Sequence, residues 1–245
     1  MIKILAISNS FGVDATRYLH QIAKSSGEDL LVHTLYIGGC SLQTHHQNMQ
    51  SEKDAYELFV NGFSTKQFIS LKNALLSNEW NVITLQQSSP LSGVEQSYYP
   101  YLSDLSSYVK SIVPNAKQLI HQTWAYPKGS EMFSCTPFTT REQMIPAIKT
   151  AYENAVKAIN AQSIIPCLGA MNALYNAIGN RAYLDGLHAS SGIGRYTLSC
   201  VWYCAIYGKA PNFSCDVSLD VPASKEELEV AKYCVISACK EYNLI

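Results

Sequence analysis

The chain has almost no charge imbalance: 18 Lys and Arg against 19 Asp and Glu leave a net −1 at neutral pH. Nothing electrostatic therefore favours nucleic acid or an anionic membrane as partner. No apolar run approaches the roughly 20 residues of a membrane span. The eight cysteines (Cys40, Cys135, Cys167, Cys200, Cys204, Cys215, Cys234 and Cys239) include no Cys-x-x-Cys pair and no close cluster of the kind a structural zinc site needs. Cys200 and Cys204 lie one helical turn apart beside Val201 and Trp202, which suits small apolar core thiols; an even count permits disulfides without demonstrating them. Neither a metal nor a cofactor is expected. Internal repeats, low-complexity tracts and linkers are also missing. The first apolar strand starts almost at once and leaves no room for a leader, so the expected compartment is the cytoplasm. The alternative is an exported protein whose leader has been removed.

What is present is ample core material, 47% hydrophobic residues over 245 positions, expected to form a single domain spanning residues 1–245. Lys3–Ser8, Asp29–Ile37, Asn81–Gln87, Gln118–Gln122 and Ser163–Pro166 read as core strands. Tyr56–Val60 reads as a small hairpin strand before the turn signal Asn61-Gly62. Helices are expected over Asp14–Ser25, Ser41–Gln50, Thr65–Leu76, Tyr98–Ile112, Arg141–Ile159, Ser191–Tyr207 and Lys225–Tyr242, with Ala125–Thr140 a long loop. Strands alternating with helices predict a three-layer α/β/α sandwich around a mostly parallel sheet of about five strands. Such sheets gather ligands at the carboxyl ends of their strands, where Ser10, Gly39, Gln87 and Thr123 all fall.

Two short patterns carry chemistry. Ser10 follows the first strand and precedes a helix, in Ser8-Asn9-Ser10-Phe11. Near the other end, Asp185-Gly186-Leu187-His188 sets a carboxylate three residues before an imidazole. A neutral hydroxyl is a poor nucleophile until a base takes its proton, and a carboxylate fixes that base in one tautomer. Together they are the parts of a serine hydrolase, provided the fold brings the ends together. Each has a plainer reading: Ser10 as a helix cap, Gly38-Gly39 as a turn, Gln87 as a strand-end partner, Asp185 as a turn cap, His188 as a structural ring. The adjacent His45 and His46 do not make a metal pair, because neighbouring side chains diverge on a helix; one of them, His45, is a candidate for the pocket mouth. His121, Thr123, Trp124 and Tyr126 end the fourth strand, where Trp124 could stack on a sugar or pack beneath a loop.

The four blocks Ile7-Ser8-Asn9-Ser10-Phe11, Gly38-Gly39-Cys40-Ser41-Leu42, Leu85-Gln86-Gln87-Ser88-Ser89 and Asp185-Gly186-Leu187-His188, in this order, resemble the SGNH/GDSL hydrolase superfamily. The resemblance implies an SGNH (flavodoxin-like) fold and a carboxylic ester hydrolase with Ser10, His188 and Asp185 as its triad. It also implies an oxyanion hole from the backbone N–H groups of Ser10 and Gly39 with a side-chain amide from the third block. The superfamily's usual asparagine there is replaced by glutamine, as in carbohydrate esterases related to sialate O-acetylesterases. Gln87 is the expected donor and Gln86 its competitor, since only one can face the right side of a strand. The implied substrate is a small acyl ester, acetyl above all, on a small molecule or glycan, and no long apolar lid argues for long chains. The alternatives are a lysophospholipase or acyl-thioesterase, and a catalytically silent carbohydrate-binding protein on the same scaffold.

Overall fold

The computed structural model describes residues 1–213 and 217–245; Cys215 lies outside the described residues. Its centre is a seven-stranded sheet. In chain order the strands are β1 (Ile2–Ser8), β2 (Leu30–Tyr36), β3 (Tyr56–Val60), β4 (Phe63–Ile69), β5 (Val82–Leu85), β6 (Lys117–His121) and β7 (Ser163–Ile165). In space they run β4-β3-β2-β1-β5-β6-β7; β3 pairs antiparallel with both β2 and β4, and every other pair is parallel. Strand β1 sits in the middle because the sequence lets it: Ile4 to Ile7 are fully buried on both faces.

The chain leaves β1 for β2 on one side and later returns to β5 on the other. The order therefore reverses at β1, and a crevice opens at its carboxyl end. Ser8, Asn9 and Ser10 stand at that reversal. Helices cover both faces: α1 (Ser10–Thr16), α2 (Leu19–Ser25), α7 (Cys167–Ile178), α8 (Ile193–Tyr207) and α9 (Lys225–Glu241) associate on one side. On the other lie α3 (Leu42–Ser51), α4 (Leu71–Leu76), α5 (Tyr101–Ile112) and α6 (Arg141–Ile159). Among the described residues no helix is long and apolar enough to cross a membrane.

The structure corrects the sequence reading in three places. The sheet has seven strands rather than about five, because Phe63–Ile69 is strand and not the start of a helix. Asn61 and Gly62 both take positive φ (51° and 85°), the geometry that folds a two-residue hairpin, so the chain after the turn must pair back onto β3. The helix begins only at Leu71, where the Ser70 hydroxyl accepts the Asn73 N–H. Second, the expected helix over Asp14–Ser25 is two helices, α1 and α2. The Tyr18 N–H leaves the helical pattern to donate to Ser199 Oγ on α8, and the Arg17 carbonyl abuts Gly62. Third, α7 was not anticipated; its apolar Leu168, Ala170, Met171 and Leu174 are buried against α8 and α9. The seven described cysteines are unpaired, and six of them are buried.

Candidate active site

The nucleophile turn is built on side-chain amides. Asn9 caps α1, its Oδ1 accepting the Phe11 N–H at 3.0 Å, while its Nδ2 donates to the Cys40 carbonyl at 3.0 Å. One side chain thus ties the turn bearing Ser10 to the loop bearing Gly39. Gln86 Nε2 donates to the same Asn9 oxygen at 2.7 Å, and Gln86 Oε1 accepts from Ser8 Oγ at 2.8 Å and from His121 Nδ1 at 2.6 Å. Burial pushes the His121 imidazole down to about 3, so it is neutral and carries its proton where Gln86 needs it. Gly12 lets α1 approach this closely, since a Cβ there would lie 1.7 Å from Ser8 Oγ. Among the described residues, neither the N–H of Ser10 nor that of Gly39 has a hydrogen-bond acceptor, and Gly39 is held at φ 64°. Two unpaired donors at the carboxyl edge of a sheet, one at a helix start, suit a developing oxyanion.

Gln87 faces the opposite side from Gln86, as strand alternation requires. Its Oε1 accepts from Leu42 N at 2.9 Å and Ser88 N at 2.8 Å; its Nε2 donates to the Ser97 carbonyl at 3.1 Å and Ser97 Oγ at 3.0 Å. Both of its N–H groups are thereby used, leaving none for an oxyanion. The expectation of a Gln87 donor is corrected: this amide fixes the start of α3 and the loop before it. Gln86 is equally committed.

The Asp185–His188 loop is assembled by one carboxylate. Asp185 Oδ1 accepts the backbone N–H groups of Leu187 (2.8 Å) and His188 (2.7 Å), and Oδ2 meets His188 Nδ1 at 2.9 Å. Partial burial pulls the Asp185 carboxyl up, but the bonds from His188 and Leu187 outweigh it and hold it below the usual carboxylate range. The His188 ring stands edge-on to Phe11, the residue after Ser10, with centroids 6.2 Å apart. The Ala189 N–H donates to Asp14 Oδ2, on the helix that Ser10 begins, at 3.0 Å. The two sequence patterns, 175 residues apart at these two anchors, therefore meet.

Three further expectations change. Trp124 is fully buried, so it cannot stack on a substrate; it lies flat on Phe11 at 4.0 Å and donates Nε1–H to the Leu187 carbonyl at 3.1 Å. Thr123 is also buried, with its hydroxyl against Tyr152 OH at 3.1 Å. His45 is not at a pocket mouth: it is buried against Tyr56 OH (2.9 Å), and burial lowers it to about 3. Its neighbour His46 points away to Asp104, 3.0 Å. Among the described residues no group of three or more His, Cys, Asp or Glu could hold a metal ion.

Sequence reasoning missed Asn9 and Asp14. Asp14 follows Ser10 by one helical turn, and that spacing was the available signal. Its carboxyl is raised to about 6 by burial, against the lowering pull of Arg195, of His188 and of the Ala189 N–H.

The fold is that of SGNH hydrolases. A candidate SGNH hydrolase from Slackia heliotrinireducens superposes with a TM-score of 0.58 at 19% identity, over 82% of this chain and 96% of that one. A candidate GDSL-like lipase from Parabacteroides merdae gives 0.55 at 12% identity, over 82% and 93%. More specifically, the chain belongs to the family described as a domain of unknown function, DUF4886, which matches residues 3–233. A crystal structure of a DUF4886 protein from Bacteroides uniformis is similar over 98% of this chain and 95% of that one, with 30% identity and a TM-score of 0.86. No curated protein matches the chain.

Proposed function

We propose that the protein is a serine esterase that releases small acyl groups, acetyl above all, from a glycan or small-molecule ester. One observation carries this reading: the Asp185–His188 pair is docked, through Phe11 and Asp14, on the helix that starts at Ser10. His188 takes the Ser10 hydroxyl proton as Oγ attacks the ester carbonyl; Asp185 holds the other ring N–H and stabilises the imidazolium. The tetrahedral oxyanion is received by the N–H groups of Ser10 and Gly39, then collapses as His188 returns the proton to the leaving alcohol. Water, deprotonated by the same imidazole, cleaves the acyl-Ser10 ester, releasing the acid and restoring the hydroxyl. The choice of a small acyl group follows from the resemblance of the third block, with its glutamine, to carbohydrate esterases.

The test is a fluorophosphonate probe with mass-spectrometric mapping, alongside p-nitrophenyl acetate hydrolysis. Ser10 is expected to carry the label, and folded Ser10→Ala to lose both label and turnover. An unchanged rate in that variant, or a label elsewhere, overturns the assignment. Octanoyl esters turned over faster than acetyl would move the reading to a lysophospholipase or thioesterase. Glycan binding without labelling would make it a silent binding protein.

A further inference from the structure

We infer that Asp14, paired with Arg195, is a positioning residue for His188, acting with Trp124 as a two-sided clamp on the loop that carries the base. This rests on the reading of His188 as the general base. The peptide groups on either side of that residue are both held by buried side chains. Ahead of it, the Leu187 carbonyl accepts the Trp124 indole N–H at 3.1 Å; behind it, the Ala189 N–H is taken by Asp14 Oδ2 at 3.0 Å. Ser130 Oγ adds a third tie, to the Gly186 carbonyl at 2.6 Å.

Asp14 differs from the other two ties in being charged. Its side chain is only 3% exposed and its other oxygen meets Arg195 Nε, from α8, at 2.8 Å. Burying a carboxylate is costly, and a neutral acceptor would satisfy one backbone N–H equally well. What only the anion adds is field. The charges facing Asp14 are Arg195 and the His188 ring; Arg17, which caps the end of α1, is turned to Asp220, with Nε to Oδ2 at 2.8 Å. Asp220 also feels Arg195, and Asp185 holds the imidazole at Nδ1. Above about pH 6 Asp14 is ionised, so a second negative charge lies near the imidazolium that forms during attack. Because Asp14 sits one turn below Ser10, the same side chain fixes base relative to nucleophile, a geometry in which small displacements are expensive.

The experiment compares wild type, Asp14→Asn and Trp124→Phe by p-nitrophenyl acetate kinetics across pH and by the rate of fluorophosphonate labelling at Ser10. D14N keeps an acceptor for Ala189 but loses the charge. It should lower kcat about tenfold at nearly unchanged KM and move the acid limb of kcat/KM to lower pH by about one unit, because imidazolium loses a favourable neighbour and faces unneutralised Arg195. W124F keeps a six-membered aromatic ring against Phe11 but loses the indole N–H and the five-membered ring that carries it; it should lower kcat by a similar factor with the acid limb unmoved. An acid limb in D14N that stays where the wild type has it, or shifts equally in both variants, overturns the proposal. Should D14N not fold, W124F decides: wild-type kcat in that variant overturns the clamp, and a tenfold loss at constant KM supports it. A wild type that neither labels at Ser10 nor turns over ester fails earlier, at the esterase reading itself.

Discussion

The two halves of the site are held by opposite means. On the nucleophile side, Ser8, Asn9, Gln86 and His121 are almost completely buried and bonded to one another, forming a lattice beneath the carboxyl ends of β1, β5 and β6. On the base side, Asp185 is half exposed and His188 about a quarter exposed, and the loop is pinned at single points by Trp124, Asp14 and Ser130. The proposed chemistry accounts for the contrast. Oxyanion donors help only if they need no reorganisation when charge appears, so the Ser10 and Gly39 turns demand a rigid support. The base must meet water during deacylation, so its loop stays open and is fixed through its backbone instead.

The comparison breaks first at Asp185. Asp185→Asn keeps an acceptor for the Leu187 and His188 N–H groups, so the loop should survive while the imidazole loses its anionic partner. kcat/KM is expected to fall by about 10³ to 10⁴ with the unfolding midpoint nearly unchanged. A loss below tenfold would show that the open side does not supply the base. On the buried side the order of effects reverses. Gln86→Leu leaves the His121 N–H without an acceptor and takes one of two partners from the Ser8 hydroxyl and from Asn9 Oδ1, and should cost about 3 kcal/mol in urea unfolding. A cost under about 1 kcal/mol would mean that the lattice does not hold the turn.

Asp14 spans both halves and gives the comparison a pH axis. Its folded carboxyl titrates at about 6, above its ordinary value of 3.8. The folded state therefore binds a proton that the unfolded chain releases, and wild-type stability gains as pH falls through 6 toward 3.8. D14N lacks that gain. The stability difference, wild type minus D14N, should grow on acidification from pH 7 to about 4, by on the order of 2 kcal/mol. A difference that is flat or shrinks over this range would place Asp14 in a better-solvated site than the one described.

The architecture was legible because its signals are local. The buried run of β1, the Asn61-Gly62 turn and the helical spacing from Ile145 to Ile159 each act within a few residues. Asp185 and His188 were legible for the same reason, since one carboxylate builds its own turn around the ring. Where reading failed, the deciding partner was distant in sequence. Ser199 splits α1 from α2, and Leu187 and Phe11 keep Trp124 inside; Phe63–Ile69 is the exception, misread against a local signal, the Asn61-Gly62 turn that folds it back onto β3. Period-2 alternation did separate Gln86 from Gln87, but what each amide would meet depended on Asn9, Leu42 and Ser97.

Gln87 yields the smallest expected effect and the sharpest contrast with the resemblance-based expectation. If its amide donated to the oxyanion, removing the donor would cost 10² to 10³ in rate, and a carboxylate in its place would cost more. The structure spends both of its N–H groups on Ser97 and both accepting contacts on Leu42 and Ser88, so its influence on the rate passes only through the Gly39 loop. Gln87→Glu retains the accepting oxygen, and buried beside Ser97 its carboxyl is driven toward the protonated form that can still donate once. The rate per folded molecule should therefore fall less than about tenfold, measured after correcting p-nitrophenyl acetate turnover for the native fraction. A loss of a hundredfold or more at unchanged stability would return Gln87 to the oxyanion. The amide would then have to leave Ser97 when substrate binds, and the rigid half of the site would be the one that moves.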